Sequence, residues 1–172
     1  MGAADMLMAT RWTLRVLNWL NWGLGVPIVI IGIMVGHVFP EQLLAAATNA
    51  GSEAPGAILA FVQFTFIAVA PVIWLAHLIF SRLIAMIDSV PTGQIFSLAN
   101  AARLRTVAWA LLGTQIIDLI TGIHMQILSE TSGEYLGWSF GMTGWVTVLL
   151  LFLLSGIFRE GAAMREELEG TV

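Results

Sequence analysis

A chain of 172 residues that is 58% hydrophobic and only 10% charged has far less charge than a water-soluble fold, in which about a quarter of residues are charged. Its net charge of -4 sets eleven acids against seven arginines and no lysine, which argues against direct nucleic-acid binding. The absence of cysteine excludes thiol relays, structural disulfides, cysteine lipidation and cysteine-ligated haem, iron-sulfur or zinc sites.

The first apolar stretch, residues 16–38, follows Arg11 and Arg15 and is long enough to cross about 30 Å of hydrocarbon. It is too long for the apolar region of a secretory signal, and the small residues of 45–50 lie well past its end, so it is expected to remain as an uncleaved first helix. Pro27 predicts a kink, and Gly32 and Gly36 form a Gly-x-x-x-Gly pair suited to close helix packing, within the chain or in a homodimer. Asn18 and Asn21, on its first turns, are expected to hydrogen-bond between helices.

The second stretch, 57–80, carries Pro71 at a depth similar to that of Pro27 and His77 near its end. The third, 106–128, contains Asp118, the one acidic residue inside any span. A carboxylate at a helix centre costs about 2.5–3.5 kcal/mol on insertion, so Asp118 is expected to face the interior with a partner or a proton. Gln115 lies one turn earlier on the same face, and Thr121 three residues on. Three readings stand for this group: a structural hydrogen bonder, a proton or cation site, or a substrate contact. The fourth stretch, 141–158, begins near Gly137 and Gly141, a second Gly-x-x-x-Gly pair.

The arginines sort by connection. Arg11 and Arg15 precede the first span; Arg82, Arg103 and Arg105 bracket the connection between the second and third; Arg159 and Arg165 follow the fourth. The other two connections hold only Glu41, Glu53, Glu130 and Glu134. The positive-inside rule then threads the chain as an all-α four-helix transmembrane bundle. Both termini are cytoplasmic, the third and fourth helices extend into the cytoplasm, and residues 1–172 form one membrane domain. On that inner face the seven arginines meet Asp5, Asp88, Glu160, Glu166, Glu167 and Glu169, which leaves it nearly neutral. Recognition there would rest on shape, since charge alone is too weak for anionic lipid or nucleic acid.

Trp12, Trp74, Trp109, Tyr135 and Trp138 fall near span ends, where amphipathic rings anchor a helix at the interface. His37 and His124 sit at similar depth and, with Glu41, Glu130 or Glu134, could be drawn into a metal site, but no ligand spacing supports one. No metal and no other cofactor is expected. The chain has no nucleophile motif and no phosphate loop, so an enzyme is not expected.

Between the second and third spans, Pro91 and Gly93 predict a turn. Ile95 and Phe96 predict an apolar contact at the interface, and Ser97 an N-cap with Asn100 at N3. After the fourth span, helical spacing pairs Arg165 with Glu169 and brings Arg159 toward Glu166. Phe96, Ser97, Asn100 and Leu104 form a Phe-Ser-x-x-Asn-x-x-x-Leu motif. Arg159, Gly161, Glu166 and Glu167 form an Arg-x-Gly-x-x-x-x-Glu-Glu run that closes on Thr171 and Val172.

On these motifs the chain resembles a bacterial family of small four-span membrane proteins of unknown function, the YoaS-like family. The ending Leu168-Glu-Gly departs slightly from the family's usual acidic-leucine ending. The resemblance implies a protein of the bacterial inner membrane whose gene often neighbours one for a small helix-turn-helix regulator, an association of genes and not of contacts, and it supplies no catalytic residues. Two functions remain open. One is a regulatory or sensory component that binds a cytoplasmic partner through segments 91–105 and 159–172, with Phe96, Asn100, Arg103, Arg159, Arg165, Glu166 and Glu167 as contacts. The other is a small transporter, channel or proton-coupled carrier, built as a homodimer around Asp118, Gln115 and Thr121.

Overall fold

The structure is a computed structural model that describes residues 2–91, 93, 95–133 and 137–169. The described residues form helices and no strands: α1 (Ala3–Ile33), a π-helical turn (Met34–Val38), α2 (Pro40–Asn49), α3 (Pro55–Asp88), α4 (Leu98–Ser132) and α5 (Met142–Glu169). Four are long and apolar enough to cross a membrane, the first running on through the π turn. Many of their large apolar side chains face outward, above all on the first and fourth of these helices, from Leu24 and Ile31 to Leu149 and Leu153. That arrangement suits lipid as the solvent, and the chain is a multi-pass membrane protein.

The short α2 was not expected from the sequence, where 40–49 reads as a connection. Its signals are local. Pro40 supplies the first helical residue and Glu41 sits in the first turn. Gly51, at φ +83°, ends it in a Schellman motif, with Ser52 N–H donating to Ala47 O and Gly51 N–H to Thr48 O. Pro40 also explains the π turn before it. Lacking an N–H, it cannot satisfy the Gly36 carbonyl four residues back, and Phe39 N–H bonds Met34 O instead.

The chain forms two compact units, and it passes between them inside α1, α3 and α4. Unit 1 comprises residues 1–20, 75–113 and 142–172; unit 2 comprises 21–74 and 114–141. All seven arginines belong to unit 1, and the Asp and Glu residues of unit 2 (Glu41, Glu53, Asp118, Glu130, Glu134) have no basic counterpart there other than histidine.

In unit 2, α1 and α3 run antiparallel along a glycine stripe. A Cβ on Gly32 would overlap the Phe66 ring, one on Gly25 would come within 2.9 Å of Ile73, and one on Gly36 within 3.2 Å of Gln63. The Gly-x-x-x-Gly face is therefore filled by this chain's own α3, which resolves the choice between internal packing and a dimer contact. Gln63 Nε2 donates to the Gly36 carbonyl at 2.8 Å, replacing the donor that Pro40 lacks, and Asn21 Nδ2 donates to Ile73 O at 2.8 Å. Both prolines inside spans, Pro27 and Pro71, lie within unbroken helices.

The core of unit 1 is built from small residues. Ala101, Leu104, Val107, Ala108, Ala110, Val148 and Ala162 are buried. Alanine at these positions allows close helix approach in a setting where dispersion and hydrogen bonds, not water exclusion, drive association.

Candidate functional site

The connection between α3 and α4 is organised by one amide. Val90 O accepts from Gly93 N–H, and Gly93, at φ +71°, completes the turn that Pro91 begins. Ser97 then caps α4, its Oγ accepting the Asn100 N–H at 3.3 Å. The Asn100 side chain turns back into the connection: Nδ2 donates to Ser89 Oγ at 2.7 Å and to Ile95 O at 3.0 Å. Its Oδ1 accepts from Arg103 Nη1 at 2.8 Å, and the same Arg103 nitrogen donates to Ala85 O at 3.2 Å, on α3. At 2% exposure Asn100 is sealed. The sequence placed Asn100 and Arg103 among partner contacts, but here both hold the connection in shape, and Asn100 has no surface to offer.

The two motif segments, far apart in sequence, meet here. Phe96 stacks at 5.0 Å on Phe158 and lies 3.5 Å from where a Cβ on Gly161 would stand. Arg165 Nη1 donates to Gly93 O at 2.9 Å. Ser155 Oγ, buried in α5, donates to Ala101 O at 3.1 Å. Motif residues Phe96 and Gly161 are thus each other's contact. Arg165 is used to tie α5 to the turn, and the side chain of Glu169, its expected partner, lies outside the described residues with Thr171 and Val172. Arg159 pairs with the adjacent Glu160 at 3.9 Å, not with Glu166, and both side chains are mostly exposed. Glu166 and Glu167 are exposed at the end of α5.

The same unit contains an ion pair between the first and second spans. Arg11 and Asp88 meet two-on-two, Nε to Oδ1 at 2.8 Å and Nη2 to Oδ2 at 3.2 Å. Asn18 Oδ1 and His77 Nδ1 are hydrogen-bonded at 2.9 Å. With Asn21 on Ile73, both asparagines of the first turns do bridge helices, as their position suggested.

Along α4 and α5 of unit 1 runs a groove of about 540 Å³, lined among others by Leu98, Arg105, Trp109, Phe152, Ser155 and Arg159. Trp109 meets Phe152 edge-on at 5.2 Å. Sequence reading placed Trp109 as an anchor and gave Arg105 no site role. The available signal was the i, i+4 spacing of Arg105 and Trp109, which puts both on one stripe of α4.

The intramembrane candidates are placed differently from the expectation. Asp118 is exposed and makes no hydrogen bond or ion pair with another described residue. It stands thirteen residues beyond Arg105 and twelve before Glu130, about 18–20 Å from either along the helix. Thr121 Oγ1 donates to its own helix at Ile117 O, 2.8 Å away, and not to Asp118. Gln115 is half-buried. The Asp118 stripe of α4 is instead covered one turn later, where Trp138 packs over buried Gly122. Trp138 is thus a packing residue more than an anchor, and Tyr135 and Glu134 lie outside the described residues.

His124 stacks on Phe64 at 4.1 Å, and its buried Nε2 has no hydrogen-bond partner among the described residues. His37 is exposed in the π turn. Among the described residues no three His, Asp or Glu side chains gather at metal-binding distance.

A family model described as "Protein of unknown function (DUF2975)" matches residues 48–172, which include both motif segments and α3 to α5. The chain belongs to the DUF2975 family. Membership in a family of unknown function, which the two motifs implied, is therefore shown, while the YoaS-like label rests on the motifs. In this DUF2975 chain the motif residues Phe96, Asn100 and Gly161, all within the matched stretch, are among those that join α4 to α5 and to the end of α3 in unit 1. No curated protein and no solved structure matches the chain.

Proposed function

We propose that this DUF2975 protein is a regulatory or sensory component of a bacterial inner membrane, with both termini cytoplasmic, and that it works by binding a cytoplasmic partner and not by catalysis. The observation that carries this reading is the joining of residues 91–105 to the end of α5 through Arg165 on Gly93 and Phe96 on Phe158. The joined surface exposes Phe96, Met164, Glu166 and Glu167, an apolar centre beside acids. The sorting of all seven arginines into one unit supports the orientation. A small helix-turn-helix regulator is the first partner to test. A photo-crosslinking residue at Met164, in native membranes, should yield an adduct with a cytoplasmic protein that disappears when Glu166 and Glu167 are changed to Lys. Adducts unchanged by that reversal, or adducts only with lipid, would refute the reading.

A second reading is favoured by the exposure of Asp118 near mid-membrane. A lone carboxylate facing hydrocarbon is costly, so a homodimer that brings Asp118 and Gln115 of two copies together would relieve it and create a polar path for a proton or cation. Asp118→Asn should then lower both dimer population and liposome proton flux. Flux unaffected by the substitution would remove the carrier reading.

A further inference from the structure

We propose that the groove between α4 and α5 binds an anionic phospholipid of the surrounding bilayer, its phosphate held between Arg105 and Arg159 and an acyl chain laid along Trp109 and Phe152. The arginines of unit 1 differ in how far they are already engaged. Arg11 is paired with Asp88, Arg103 bonds Asn100 and Ala85, Arg165 bonds Gly93, and Arg15 lies 6.0 Å over the Trp12 ring. Arg105 makes no hydrogen bond or ion pair with another described residue, and Arg159 has only the long contact to Glu160. These two share one groove.

Their geometry brings the charges together. The pairs Ala101 with Ser155 and Phe96 with Phe158 show that α4 and α5 run antiparallel. Side chains on a helix lean toward its N-terminus, so Arg105 leans toward the level of Ala101 while Arg159 leans toward Ser155. Two guanidinium groups converging on a groove repel one another, and a phosphate between them removes that repulsion while accepting two hydrogen bonds from each planar fork.

The other end of the groove selects an amphiphile. Trp109 and Phe152 form an aromatic wall leading into the apolar part of the helices, and Trp109 is 56% exposed. A free anion would leave that wall bare, whereas a phospholipid uses the arginines and the wall together. The small net charge of the arginine-bearing surface argues that selectivity comes from this one site and not from a diffuse basic patch. The site is independent of any cytoplasmic partner.

Native mass spectrometry of the delipidated full-length protein provides the test, with phosphatidylglycerol and phosphatidylcholine of identical chains as probes. Phosphatidylglycerol should bind at least about tenfold more tightly, and R105Q/R159Q should lose that preference, since each charge-assisted contact is worth roughly a factor of ten. R82Q, which removes an exposed arginine outside the groove, should keep the preference. Trp109→Ala should weaken both lipids. Equal binding of the two lipids, or a preference that survives R105Q/R159Q, would overturn the proposal. So would inorganic phosphate displacing phosphatidylglycerol at equal concentration, because the occupant would then be a soluble anion. Thermal unfolding of each variant in the same detergent separates loss of the site from loss of the fold.

Discussion

Replacing Asn100 by Ala tests whether the motif asparagine is structural or a partner contact. The side chain makes three hydrogen bonds: it donates to Ser89 Oγ at 2.7 Å and Ile95 O at 3.0 Å, and it accepts from Arg103 at 2.8 Å. A neutral buried bond contributes about 1 kcal/mol net and a bond to a charged group about 1.5–3 kcal/mol. Two of the groups left behind keep other partners, since Ser89 Oγ also donates to Met86 O and Arg103 Nη1 to Ala85 O. Desolvation penalties for them are therefore small, and the total loss is roughly 3–5 kcal/mol. Ser89→Ala removes one of the three bonds together with the Ser89 Oγ bond to Met86 O and should cost about 2 kcal/mol. Because both variants break the same contact, the double variant should lose less than the two singles combined. Reversible unfolding in mixed micelles measures all three. If Asn100→Ala costs under about 0.5 kcal/mol, a value typical of a surface site, the amide is not the organiser of this connection and the reasoning fails.

In unit 2, Gly32→Ala places a methyl where the Phe66 ring stands, so stability should fall by about 1–3 kcal/mol, with partial recovery when Phe66 is cut to Leu, read as melting temperature in detergent. Gln63→Leu strands the Gly36 carbonyl beside Pro40 and should cost about 1–3 kcal/mol in the same melting assay, whereas Gln63→Glu should restore the bond only at a pH where its carboxyl is protonated and can donate. The Arg11–Asp88 pair is 38% and 41% exposed, so Asp88→Asn should cost no more than about 1 kcal/mol, and added salt should shrink the difference from the parent protein. A larger, salt-independent loss would mean that Asp88 has a role beyond this pair.

Much of the connection between α3 and α4 was legible because its signals are local. Pro91 and Gly93 determine a turn through backbone conformation, and Ser97 caps α4 through the N–H three residues on. The asparagines near the start of the first span were legible for a related reason, since a polar amide in an apolar setting must find a partner. What the amide at Asn100 does was not legible. A cap residue and a buried cross-link look alike in sequence, and only the return of α3 beside α4 supplies Ser89 and Ala85. Where Asp118 faces within the single chain was not legible for a similar reason, because burial depends on which neighbours reach a helix face, and Trp138 covers Gly122 but leaves Asp118 open.

By itself the sequence determined the solvent, the number of apolar helices and the sorting of charge, because transfer of side chains between water and hydrocarbon acts on each residue with little regard to its neighbours. The tertiary structure alone decided that Gly32 and Gly36 receive Phe66 and Gln63 of the same chain, that Phe96 lies on Phe158 and Gly161, and that Arg105 and Arg159 share a groove. Each of these depends on the register between two helices. Register is set by how small and large side chains fit across a contact, and no single segment contains that information.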